Sequence, residues 1–105
     1  MTIYNEREKA AEKQYINQVE KPFKIRARRD RMLAIWVATL LGRDIERCLE
    51  EIIEVDFSRG EEGIFQKLER DIGILGLSDA HKLVREKMNK YLVDAVHEVE
   101  GSITQ

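Results

Sequence analysis

The chain carries a single cysteine, Cys48, a single proline, Pro22, and no long apolar run. One cysteine excludes an internal disulfide and the small secreted scaffolds that depend on disulfides. No stretch approaches the ~20 apolar residues of a spanning helix, which excludes a transmembrane segment. The opening Met-Thr-Ile-Tyr-Asn-Glu-Arg-Glu has no apolar core for a secretory signal and is too acidic for a transit peptide. The expectation is a soluble protein in a reducing compartment. Scarce proline and the absence of sustained alternation between β-branched and polar residues favour an all-helical chain. Chemistry is equally sparse. The two histidines, His81 and His97, are sixteen residues apart, and neither stands in ligand spacing with Cys48. Gly60-Glu61-Glu62-Gly63 is acidic and lacks the lysine and preceding strand of a phosphate loop. Cys48 sits between Ile45 and Leu49 on an apolar stripe, the setting of a buried, inert thiol. No residue set supplies a nucleophile, a metal site or a poised acid–base pair, so catalysis is the reading with least support.

What is present is apolar content and unevenly spread charge. The 105 residues suit one domain, and 43% apolar with 36% charged residues is too apolar for wholesale disorder. Residues 1–31 hold nine Lys/Arg against five Asp/Glu, whereas residues 32–105 hold nine against fifteen. A basic leading segment on an acidic body suggests an acidic partner or an anion for that segment. Nucleic acid is not expected, because its binders carry the basic patch on the folded domain itself.

The stretch Phe23 to Gly42 organises the rest. Lys21, Lys24, Arg26, Arg28, Arg29 and Arg31 make its approach basic, and Met32 to Leu41 is mostly apolar. Leu33, Trp36, Val37 and Leu40 recur at i, i+3, i+4, i+7, one helical face, and Gly42 suits a left-handed C-terminal cap. Three more helices follow. Asp44 caps a stripe of Ile45, Cys48, Leu49, Ile52, Ile53 and Phe57, and Ser58-Arg59-Gly60 breaks it. Ile64, Phe65, Leu68, Ile72 and Leu75 mark the next helix. After Ser78 and Asp79, Val84, Met88, Tyr91, Leu92, Ala95 and Val99 mark the last. Short turns make sequential helices antiparallel neighbours. The expected architecture is therefore an up-down four-helix bundle, with helices near 22–41, 45–57, 62–75 and 79–100, and a tail at 102–105.

Residues 1–21 differ from this body. Apolar positions are thin there (Ala11, Tyr15, Val19), and Glu8–Glu12 and Lys9–Lys13 are like-charge i, i+4 pairs. An isolated helix of that length is marginal in water. The segment reads either as a mobile, nascent helix that orders against a partner or as a solvated, frayed first helix. Pro22 is expected to end or kink it. The basic run also has two readings. It is a solvated helix face, or it is an anion or acidic-partner site in which Lys24, Arg28, Arg29 and Arg31 supply the donors.

Two stretches resemble a known family. Phe23-Lys24 and Ala27-Arg28-Arg29-Asp30-Arg31-Met32-Leu33-Ala34-Ile35-Trp36 are similar to the signature of the alpha-proteobacterial zeta-subunit family, small inhibitors of the F1FO-ATPase. Tyr4-Asn5-Glu6-Arg7-Glu8-Lys9-Ala10 and Glu12-Lys13-Gln14-Tyr15 look like that family's arm. The chain departs from the family pattern at Tyr4-Asn5, at Asp30-Arg31 and at Pro22. The resemblance implies a four-helix body and an arm that is mobile when free. It implies that the arm becomes helical on entering the catalytic interface between the alpha, beta and gamma subunits of F1, where it blocks the hydrolytic direction of rotation. The arm residues it points to are Tyr4, Arg7, Glu8, Lys9, Glu12, Lys13 and Tyr15. It also implies a cytoplasmic protein, peripheral to the inner membrane through F1 and needing no cofactor. ATP or ADP stands as a regulatory ligand, and a purine-nucleotide-binding bundle as the alternative function.

Overall fold

The fold is known from a computed structural model, which describes the backbone of residues 2–104 and the side chains of residues 6–101. The protein is all-helical, with no strand among the described residues. The elements are α1 (Thr2–Tyr15), a π-helical turn (Ile16–Glu20), α2 (Lys21–Leu41), α3 (Ile45–Gly73) and α4 (Ala80–Thr104). From Thr2 to Leu41 the helical path is unbroken. A helix of that length spans about 60 Å, and it sets the long axis of a molecule measuring 65 × 26 × 23 Å.

Of the two outcomes expected at Pro22, the helical path does not end there but is distorted just before it. The π turn explains why. In an α-helix the proline ring would collide with the carbonyl four residues back. Here the Lys21 N–H reaches five residues back, to the Ile16 carbonyl, which widens the helix just upstream of the ring. Pro22 then falls in the first turn of α2, where its missing N–H costs little.

The other boundaries follow local chemistry. Gly42, at φ 68° and ψ 36°, closes α2, and its N–H donates to the Ala38 carbonyl. Asp44 caps α3 by accepting from the Arg47 N–H at 3.0 Å. The break expected at Ser58-Arg59-Gly60 is present, as a sharp kink at one residue rather than a loop. α3 has one non-helical residue, Gly60, at φ 69° and ψ −158°. That one residue redirects the chain. In a straight helix Glu51 and Lys67 would stand about 24 Å apart, yet the Lys67 ammonium lies 2.9 Å from the Glu51 carboxylate. The two halves of α3 lie against each other. Lys67 also binds Asp71 at 2.6 Å, and its hydrogen bond holds the Glu51 carboxyl below the usual carboxylate range.

Ion pairs give the remaining directions. Arg26 meets Asp56 and Arg31 meets Glu46, so α2 and the first half of α3 run antiparallel. Lys21 meets Glu100 and Lys87 lies over Trp36, so α4 also runs antiparallel to α2. α2 is thus the central element. Its Leu33, Ala34, Val37 and Ala38 join Cys48, Ile52, Ile64, Phe65, Leu68, Ile72, Val84 and Met88 in one buried cluster. The helical stripes predict most of this core. They mispredict Leu40, Ile45, Ile53, Phe57 and Leu75, which are exposed. Leu40, Ile45 and Leu75 lie at or beyond helix ends, and Ile53 and Phe57 lie at the edge of a stripe wider than the face their neighbours cover. The alanines of α2 are buried instead, because a small side chain lets a neighbouring helix approach closely.

Candidate functional site

Two features single out the N-terminal half of the long helix: a projecting segment and a buried charge cluster at its root. The projection is α1. It touches the π turn and no other element among the described residues. Arg7, Glu8, Lys9, Glu12 and Lys13 are all exposed, as is Tyr15 at 60%. Tyr4 is part of the same expected set, but its side chain lies outside the described residues. The α1 side chains thus lie along one unpacked helix.

The basic run behaves differently. Lys24 pairs with Glu20 at 3.1 Å, Arg28 with Glu98 at 3.2 Å and Arg31 with Glu46 at 3.6 Å. These partners lie on three different elements, so the expected donors do not converge. Arg29 is not a surface residue at all. It is 1% exposed, its Nε donates to Asp30 at 3.0 Å, and its Nη1 donates to Glu61 at 2.5 Å. The remaining terminal nitrogen is buried without a hydrogen-bond acceptor. Burial opposes the charge of Arg29, but Glu61 and Asp30 outweigh it and hold its pKa above the ordinary value. As a structural clasp between α2 and the Gly60 corner, Arg29 is unavailable as a donor to an anion.

Asp30 completes the cluster. It is 3% exposed, and burial pushes its carboxyl up to about 7, with a hydrogen bond to Asp56 adding to the rise. Burial would raise Asp56 too. Its hydrogen bonds with Asp30 and Arg26, and the charges of Arg26 and Arg29, hold it below the usual range instead. Asp30 and Asp56 thus titrate against each other beneath Arg26 and Arg29, one raised and the other lowered. Sequence reasoning missed this pairing, because adjacent Arg29 and Asp30 in a charged run give no sign of burial. The only sequence-level cue is that both lie one turn before the buried Leu33 and Ala34.

Above the cluster, α2 and α3 splay into a groove of about 640 Å³. Val19, Pro22 and Phe23 form one wall, Ile53 and Phe57 the other, and Arg26, Asp30 and Asp56 the floor. Among the described residues no group of His, Cys, Asp or Glu could hold a metal ion. No helix there is long and apolar enough to cross a membrane.

The model of the family described as ATPase inhibitor subunit zeta matches residues 1–98. The chain belongs to that family. The match takes in the residues of α1 along with most of the body. Comparison with curated proteins and with solved structures finds no match. Zeta-family membership makes an ATPase the partner class and marks the chain as regulatory.

Proposed function

We propose that this chain inhibits ATP hydrolysis by an F1-type ATPase, and that α1 is the inhibitory element. In this reading α1 enters the catalytic interface of the alpha, beta and gamma subunits and blocks rotation in the hydrolytic direction. The observation that carries it is the isolation of α1: a fourteen-residue helix that, among the described residues, touches only the π turn that follows it. A helix of that length gains little from its own hydrogen bonds, and the Glu8–Glu12 and Lys9–Lys13 repulsions weaken it further. Beyond its continuity with α2, its stabilisation would come from a partner surface. Tyr15 and Ala11 would supply apolar contact, and Arg7, Glu8, Lys9, Glu12 and Lys13 would pair with charges on F1. Part of the affinity is then lost to ordering the helix.

The test is ATP hydrolysis by F1 of the same organism, titrated with the full chain and with a form lacking residues 2–19. Helical content of the shortened form, followed by circular dichroism, reports whether the body persists. Inhibition by the full chain alone supports the reading. Equal inhibition by both forms refutes α1 as the inhibitory element. Binding of ATP or ADP to the shortened body, with no binding of either form to F1, would favour the nucleotide-binding alternative.

A further inference from the structure

The groove at the root of α1 is unusual for a single folded chain. Phe57 is 94% exposed and Phe23 72% exposed, with Ile53, Val19 and Pro22 between and beside them. Single exposed apolar residues need no explanation, but two phenylalanines facing a shared apolar groove with a polar floor mark an interaction surface. The outer rim is acidic on balance, with two glutamates against Arg47 on the same helical face. Glu50 and Glu54 lie on the same face of α3 as Ile53 and Phe57, at i, i+3, i+4 and i+7 spacing. Both are exposed, and neither carboxylate has an ion-pair partner. Most other charged side chains near the groove are matched: Arg26 with Asp56, Lys24 with Glu20, Arg31 with Glu46. The surplus at this surface is therefore acidic and apolar.

From these observations, and resting on the reading of α1 as the ATPase-binding element, we infer that the groove is a second docking site for the same ATPase. Its occupant is a helical segment carrying a row of apolar residues flanked by lysine or arginine. The apolar row fits between Phe23 and Phe57, and the basic residues meet Glu50 and Glu54. Two features favour this occupant. The unpaired carboxylates select a basic segment over a symmetric pairing of two α3 faces, which would bring like charges to the rim. The row Tyr15, Val19, Phe23 also runs from α1 along the helix into the groove, so one partner surface can follow it without a gap. A helix laid into such a groove is a recurring mode of recognition. It would fix the body beside the site that α1 enters and raise the effective concentration of α1 there.

The test uses the full chain and the variants Phe57→Ala and Glu50→Lys/Glu54→Lys. Phe57 is too exposed for its loss to disturb the core, and unchanged thermal melting checks this. Binding to F1 is measured as a dissociation constant, and inhibition is measured at saturating protein. The expected result for Phe57→Ala is affinity weakened about tenfold or more, with full inhibition retained at saturation. The double charge reversal is expected to slow association most at low salt. If the wild-type chain inhibits F1 and Phe57→Ala binds equally well, the groove proposal is overturned and the role of α1 stands. If the wild type does not bind F1, both fail. If Phe57→Ala instead converts a dimer of this chain to monomer, without changing binding to F1, the occupant is a second copy and the proposal is overturned.

Discussion

Replacing Arg29 by alanine is expected to destabilise the fold by roughly 2–4 kcal/mol. The magnitude follows from what the guanidinium leaves behind. Breaking a buried ion pair from one side typically costs about 3–5 kcal/mol, because the other charge stays buried without compensation. Here that charge is Asp30, which is buried with Arg29. Three circumstances reduce the figure. The Glu61 side chain is half-exposed and returns to water. Asp30, with a carboxyl near 7, can take up a proton rather than remain charged. One Arg29 nitrogen is already buried without an acceptor, a penalty of about 1–3 kcal/mol that the substitution removes. By contrast, Lys24→Ala, Arg28→Ala and Arg31→Ala each break a largely exposed pair and should cost no more than about 1 kcal/mol. Urea denaturation of the four variants, with unchanged slope, measures the differences. In thermal melting, the Arg29 variant should fall by roughly 8–30 °C, at about 4–8 °C per kcal/mol. If Arg29→Ala stays within 1 kcal/mol of the wild type, or if all four variants behave alike, the buried clasp is wrong and Arg29 belongs with the surface cations.

Three further outcomes follow from the same structure. A Cβ added to Gly42 or Gly60 meets no atom within 4 Å, so alanine there reports backbone conformation alone. Gly42→Ala should cost about 1 kcal/mol in the left-handed region, and Gly60→Ala up to about 3 kcal/mol at a ψ open to glycine only. D-alanine introduced at residue 60 by chemical ligation should recover most of the loss, and no recovery would argue against that geometry. Stability should also depend on pH through Asp30. Its folded value near 7 lies above the ordinary 3.8, so its contribution is complete below about pH 4 and is lost as pH rises through 7. Asp30→Asn should remove this slope, at most about 1.4 kcal/mol per pH unit, and parallel stability curves for the two proteins would refute it. Asp56 is lowered and acts oppositely, losing its contribution only in acid below the ordinary carboxylate value, so the two windows separate. Finally, burial raises the Cys48 thiol and leaves it 2% exposed. A disulfide thiol reagent should label it slowly in the native protein and promptly in denaturant. Rapid native labelling would place it at the surface.

The helices were legible because their signal is local. Leu33 and Val37, Cys48 and Ile52, Ile64 and Leu68, and Val84 and Met88 lie at helical spacing, and all are buried. Gly42 and Asp44 were legible for the same reason, since a cap satisfies backbone groups within a few residues of itself. Pro22 marked the start of α2, but the π turn that carries the helix past it has no clear composition cue. The basic run misled. Composition gives the charge of Lys24, Arg28, Arg29 and Arg31 but not the element each one faces. A rotation of about 100° between adjacent helical residues sends Arg28 to α4 and Arg29 into the interior.

The sequence alone determined that the chain is helical, where most of its apolar stripes lie, and that its first twenty residues are poor in core-forming side chains. Those properties depend on residue type and on spacing within one or two turns. Tertiary structure decided which members of each stripe are covered, that α1 continues α2 as one projecting helix, and that the break at Ser58-Arg59-Gly60 narrows to a kink at one residue. It also decided that Arg29 and Asp30 are interior while Phe23 and Phe57 face an open groove. Those outcomes depend on how much of each helix its neighbours cover, a property of packed surfaces that spacing along one chain does not encode.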